Sequence, residues 1–255
     1  MYGYYFLVNA LPPLKFGDKP EIAYEEVEAL VDQNVAPSDR KKVTLFKQYI
    51  DLKNLRLLWM DLPIDPRGNL NKKELEAALL IHDFFPPFVF EFIQTYEDVS
   101  QRLGNFLFLI ARFLQYQIEM EKGFLHLFFR FEREFRLILT ALRAKDQKKD
   151  LSIELQYEDT KDTLVQKILS EKEGASFEPP DEFREVKNLY FAHRENPKNL
   201  FFACSEFSFR KIGEMKRIDP FSIDAILAYM AGLILVEDWS LLDEERGKAI
   251  VTSLL

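Results

Sequence analysis

Residues 124–142, FLHLFFRFEREFRLILTAL, constrain the fold of this chain more than any other stretch. At 3.6 residues per turn, Phe124, Leu127, Phe128, Phe131, Phe135, Ile138, Leu139 and Leu142 share one stripe, while His126, Arg130, Arg133 and Thr140 fall opposite. That period is a helical one, and it predicts a core helix over residues 119–145. Leu125, Phe129 and Leu137 lie off the stripe, so the helix is expected to meet more than one neighbour. Glu132 and Arg136 stand four apart with the acid first, the favourable order for an ion pair along a helix.

The rest of the composition agrees with packed helices. Phenylalanine occurs 24 times in 255 residues and glycine only 9 times, which suits thick helical interfaces better than sheets joined by tight turns. The chain is long enough to bury a core without metal or disulfide. A net charge of −8 repels phosphate backbones, and the basic runs at residues 40–42 and 145–149 are short, so nucleic acid is not an expected partner. The single cysteine, Cys204, cannot form an intramolecular disulfide; it reads as a buried, inert thiol in a cytoplasmic protein. The first residues lack the basic flank and cleavage site of a secretory signal. The longest uncharged apolar run, residues 225–236, is too short to span a bilayer.

Proline, glycine and capping residues divide the chain. Helices are expected over residues 2–14, over 24–33, and from an N-cap at Ser38 to about Met60. After the loop DLPIDPRGN, Asn71 and Glu74 form a capping box that opens a helix over 72–81. Residues 88–145 contain no proline and should hold two or three helices, jointed near 98–105 and 119–123. Residues 146–181 are charged and include EKEGASFEPPD, which reads as a connection between an N-terminal region, 1–145, and a C-terminal region, 182–255. Beyond it, helices are expected over 163–169, 182–193 and 197–216. A further one starts at Pro220, with Ile223, Ile226, Leu227, Met230, Leu233 and Ile234 on one face, and a last one begins near Asp243.

Motifs for chemistry are missing. His82, His126 and His193 are far apart, with no HExxH, no cysteine pair and no Glu-x-x-His on His126 or His193. GxxxxGK[ST], GxGxxG, GxSxG and DDxxD do not occur. Carboxylates such as Glu97-Asp98 and Glu158-Asp159, and those of residues 243–245, read as helix-start or solvated-face charges. No cofactor is expected and the chain is not expected to be an enzyme. One polar pair is different: in QYIDLKNLRLL, Asp51 and Asn54 lie on a helix apolar nearly all round, where buried polar groups serve as internal hydrogen-bond hubs.

Laying Asp51 on Glu132 brings YIDLKNLRLL and RFEREFRLIL into register, and LAYMAGLILVEDWSLLDEERGKAI closes the chain with related features. Two or three similar helical units would form a solenoid-like or funnel-like assembly. YIDLKNLRLL resembles the D-x-x-N-[IL] helix of the d-subunit family of V/A-type (vacuolar-type) ATPases, with Asp51, Asn54 and Leu55 on the motif. ILAYMAGLILVEDW resembles that family's closing AY…E helix at Ala228, Tyr229 and Glu237, with Trp239 where a basic residue is common. Residues 124–145 are more similar still to a divergent bacterial branch of unassigned function associated with V-type ATPase operons. The matches to that branch are Phe124, Leu125, Phe131, Glu132, Arg136 and Thr140 to Leu142; against the d-subunit pattern, this middle unit has Phe135 where an Asn is expected.

The resemblance implies an all-α, non-catalytic adaptor on the cytoplasmic face of the membrane. Its partners would be the central-stalk subunits and the membrane rotor ring, with membrane contact only through the complex. A soluble helical scaffold or assembly protein outside the rotor is the rival expectation.

Overall fold

The computed structural model describes residues 3–172, 174, 177–215 and 220–242. The last expected helix, from Asp243, lies outside these. Every regular element among the described residues is helical, so the fold is all-α. The chain divides into two compact units, Met1–Arg40 with Asn188–Leu255, and Lys41–Lys187. It passes from the first to the second within α3 (Pro37–Trp59) and returns within α11 (Arg184–His193).

In the second unit α3 is followed by α4 (Lys72–Ile81), α5 (Pro87–Thr95), α6 (Val99–Gly104), α7 (Phe106–Met120), α8 (Gly123–Asp146), α9 (Leu151–Glu154) and α10 (Thr163–Ser170). Helix α8 is the expected core helix, begun at Gly123, whose φ of +63° a side chain would strain. Helix α7 packs along it. Phe124, Phe128, Phe131, Ile138 and Leu142 are buried as the stripe requires, and so are Leu125, Phe129 and Leu137, which meet other neighbours. Between α3, α7 and α8 the rings of Tyr49, Phe113 and Phe129 lie pairwise 5.8 Å apart, one stacked pair and two edge-on. Such pairs add about 0.5–1.5 kcal/mol each beyond the area they bury.

Three expectations need correction here. Pro37, in the first helical position, opens α3, so Ser38 lies inside the first turn and is not the cap. Arg133, expected on the polar face of α8, is buried. Residues 146–181 do not separate the units but belong to the second, where Leu151, Leu155, Val165, Ile168 and Phe177 anchor them. The Lys145 ammonium donates to the carbonyls of Glu171 and Lys172 at 2.6 Å and of Gly174 at 2.8 Å, which ties this segment to the end of α8.

The first unit contains α1 (Tyr5–Ala10), α2 (Tyr24–Asn34), α12 (Pro197–Met215) and α13 (Ile223–Ser240). Helix α1 is shorter than expected because Pro12-Pro13 cannot continue it. Ser222, not Pro220, caps α13, its Oγ accepting from Ala225 N at 3.4 Å. Helix α13 is buried on more than its expected face, since Ala225, Ala228, Ala231 and Gly232 are covered as well. Gly232 permits close packing: a Cβ there would stand 3.3 Å from the Phe209 ring. Cys204 on α12 is only half-buried. No helix among the described residues is long and apolar enough to cross a membrane.

Candidate functional site

The residues picked out by sequence pattern fall into three constellations. The first is a clamp on α3. Asp51 and Asn54, both 0% exposed, face the loop that joins α3 to α4. Asp51 Oδ2 accepts from Asn69 N at 3.1 Å and Asn69 Nδ2 at 2.7 Å, while Oδ1 accepts from Leu70 N at 3.1 Å. Asn54 is bonded both ways to one residue: its Nδ2 donates to Asp65 O at 2.9 Å and its Oδ1 accepts from Asp65 N at 2.8 Å. The acid therefore faces three donors, and the amide faces one donor and one acceptor. Leu55, one residue on, is fully buried in the core.

Local chemistry completes the loop. Asp65 is held by Arg67, whose Nη2 lies 2.7 Å from Oδ2; burial raises the Asp65 carboxyl, but Arg67 prevails and leaves it below its ordinary range. Gly68 passes directly over the clamp. A Cβ there would sit inside van der Waals contact of Asp51 Oδ1 and 3.1 Å from Asn54 Nδ2. Asn71 then opens α4 as expected, accepting from Lys73 N and Glu74 N while Glu74 reaches back to Asn71 N at 2.9 Å. Burial pushes the Asp51 carboxyl up, against the pull of its bonds from Asn69 and Leu70.

The second constellation surrounds α8. The Tyr49 hydroxyl donates to Glu132 Oε2 at 3.3 Å, and Lys53 Nζ lies 4.5 Å above the Tyr49 ring. Burial raises both groups: the Tyr49 phenol stands well above its ordinary value, and the Glu132 carboxyl is raised despite Lys53, Tyr49 and Arg136. Arg136 does not pair with Glu132 as its spacing suggested but turns to Glu158 Oε1. Arg133 joins it there, with Nε 3.1 Å from Glu158 Oε2 and Nη1 2.9 Å from Asp162 Oδ2. Glu158, expected on a solvated face, is thus buried between two guanidinium groups. Sequence reasoning missed Arg133, Glu158 and Asp162 because they meet across 25 and 29 residues with no local signal.

The raised Glu132 gives a signed expectation. Because its folded-state pKa exceeds its unfolded one, the folded chain holds this proton in the window between them, and stability falls as pH rises through it. Glu132→Gln carries no such charge and keeps an oxygen for Tyr49. Thermal melts from about pH 4 to about pH 8 should therefore show the variant gaining on wild type toward the alkaline end and converging with it in acid. A difference that grows in acid would contradict the assignment.

The third constellation belongs to the first unit. The Tyr229 hydroxyl on α13 donates to Pro12 O at 2.9 Å, beside Ala228. Glu237 Oε1 accepts from Tyr24 N at 2.7 Å, which places a carboxylate on the first turn of α2 where the helix dipole favours it. Trp239 meets the Phe202 ring edge-on at 4.7 Å, with Lys198 5.8 Å away. Asp51, Asn54, Phe124, Phe131, Glu132 and Arg136 belong to the second unit, and Ala228, Tyr229, Glu237 and Trp239 to the first. Among the described residues, no group of three His, Cys, Asp or Glu side chains could hold a metal ion.

A family model described as "Protein of unknown function (DUF2764)" matches residues 1–255. An uncharacterized protein of Chlamydia muridarum is 29% identical, over 97% of this chain and 96% of its own length. Uncharacterized proteins of Chlamydia trachomatis and Chlamydia pneumoniae are 27% and 26% identical, over 97% and 98% of this chain and 95% and 97% of theirs. No solved structure matches.

Proposed function

We propose that this chain, which belongs to the DUF2764 family, is a non-catalytic adaptor in the central rotor of a V/A-type ATPase, joining the stalk to the membrane-embedded ring from the cytoplasmic side. The observation that carries this proposal is the clamp. Asp51 and Asn54, which bear the resemblance to the D-x-x-N helix of the d-subunit family, spend their hydrogen bonds on fixing the backbone of residues 65–70. A motif devoted to shape suits a part whose task is to keep its form under load. The aromatic packing of α3, α7 and α8 supports the same role, because dense interiors have low compressibility and transmit strain. In such a part the buried carboxylates and guanidinium groups serve the framework, and the partners are read by surfaces.

Purification of tagged protein from gently solubilised membranes tests this. Stoichiometric recovery of stalk and ring subunits with wild type is the expected result, lost with Leu233→Pro, which breaks α13 at a fully buried position. Recovery of neither, from a preparation in which the ATPase stays intact, would overturn the rotor assignment in favour of a scaffold acting elsewhere.

A further inference from the structure

The first unit carries a half-open, mainly apolar cavity of about 320 Å³ between the chain at residues 8–14 and the helices α12 and α13. This is within the range of small-molecule sites. Val8, Pro12, Pro13, Phe209 and Ile212 supply much of its wall, and among the described residues that line it Tyr229 is the one with a polar side chain. Gly213, exposed on α12, lines its rim, and beyond its own stretch of helix no atom lies within 4 Å of where a Cβ would stand, so a larger side chain there has room to reach across the mouth.

The hydrogen-bonding inventory of its side chains is one-sided. Pro12 and Pro13 have no N–H. The Tyr229 proton is committed to Pro12 O, so what its hydroxyl can still offer a guest is an acceptor lone pair. That phenol stays neutral, since burial, and then the charge of Glu21, push its pKa up to about 12. A carboxylate or phosphate entering here would give up its water for no donor side chain, whereas an uncharged guest with one O–H would lose little.

We propose that this cavity binds a small uncharged apolar molecule bearing a single hydrogen-bond donor, of the aliphatic alcohol or phenol class, with that donor on the Tyr229 oxygen. The described residues that line the site all belong to the first unit, and the proposal does not rest on the rotor assignment. Titration calorimetry on the full chain at about pH 8, with 1-octanol and octanoate as probes, tests it. Saturable one-to-one binding of 1-octanol is expected, with octanoate at least about tenfold weaker. Gly213→Leu fills the open space and should weaken 1-octanol at least about tenfold without lowering the melting temperature. Tyr229→Phe keeps the walls; it should weaken 1-octanol roughly fivefold and leave toluene unchanged, a comparison that holds even if Gly213→Leu fails to fold. Absence of saturable binding to folded wild type, equal affinity for octanoate, or undiminished 1-octanol binding by folded Gly213→Leu would each overturn the proposal.

Discussion

Asp51→Asn is expected to lower the stability of the second unit by about 2–4 kcal/mol, although it changes one atom type and almost no volume. The carboxylate accepts from Asn69 N, Asn69 Nδ2 and Leu70 N, and every one of those contacts is from a donor. An amide can keep one oxygen toward Leu70 or toward Asn69, but its NH2 must then face a donor. Buried donors left without acceptors cost roughly 1–3 kcal/mol each. Removing a charge that burial disfavours returns part of this, since the Asp51 carboxyl is raised in the folded chain. Asn54→Asp should be costly for the complementary reason, because a carboxylate oxygen would replace the donor to Asp65 O. The double exchange should not rescue either change, as each partner set is fixed by backbone. Denaturant midpoints would measure all three, and an Asp51→Asn midpoint indistinguishable from wild type would refute the clamp.

That pair shows what the sequence could and could not reveal. An acid and an amide three apart on an apolar helix announced a buried hub, because such groups need partners wherever they are buried. The partners themselves were invisible, since two of the three donors are backbone N–H groups that nearly every residue has, and the third, Asn69 Nδ2, comes from 18 residues away. By contrast the capping box at Asn71 and Glu74 was legible in full, because both halves of its bonding lie within three residues. The apolar stripe of α8 was likewise readable, whereas Arg133 was not: a helical wheel ranks it by its own helix, while its burial is decided by Glu158 and Asp162.

The division into units failed to show for a related reason. Residues 146–181 have the composition of a linker, yet a few anchors and the Lys145 ammonium fix them to the second unit. The first unit is assembled from both ends of the chain, and composition along a sequence does not record which distant segments meet.

Glu158→Ala is the second large effect to expect, about 3 kcal/mol, because it takes the carboxylate from Arg136 and leaves the buried Arg133 with Asp162 alone, and not because the ion pair itself is worth that much. The Arg133 and Glu158 side chains are 6% and 4% exposed, so Arg133 cannot exchange its lost partner for water, while Arg136, at 23%, has some access to it. The network is also imperfect as built: Arg136 Nε is buried without a hydrogen-bond acceptor, and Arg133 Nη2, though 3.1 Å from Glu158 Oε2, is not aligned for a hydrogen bond to it. A buried pair in that condition repays little of its desolvation, so Arg133→Met combined with Glu158→Leu should cost far less than the two single changes added together. Asp162→Asn separates a third contribution. Its Oδ1 caps α10 by accepting from Leu164 N and Val165 N, a role an amide can keep, while the charge toward Arg133 is lost. Unfolding curves for these variants close a double-mutant cycle. A Glu158→Ala cost below about 1 kcal/mol would place Arg133 in a solvated setting and remove the network from the framework of α8.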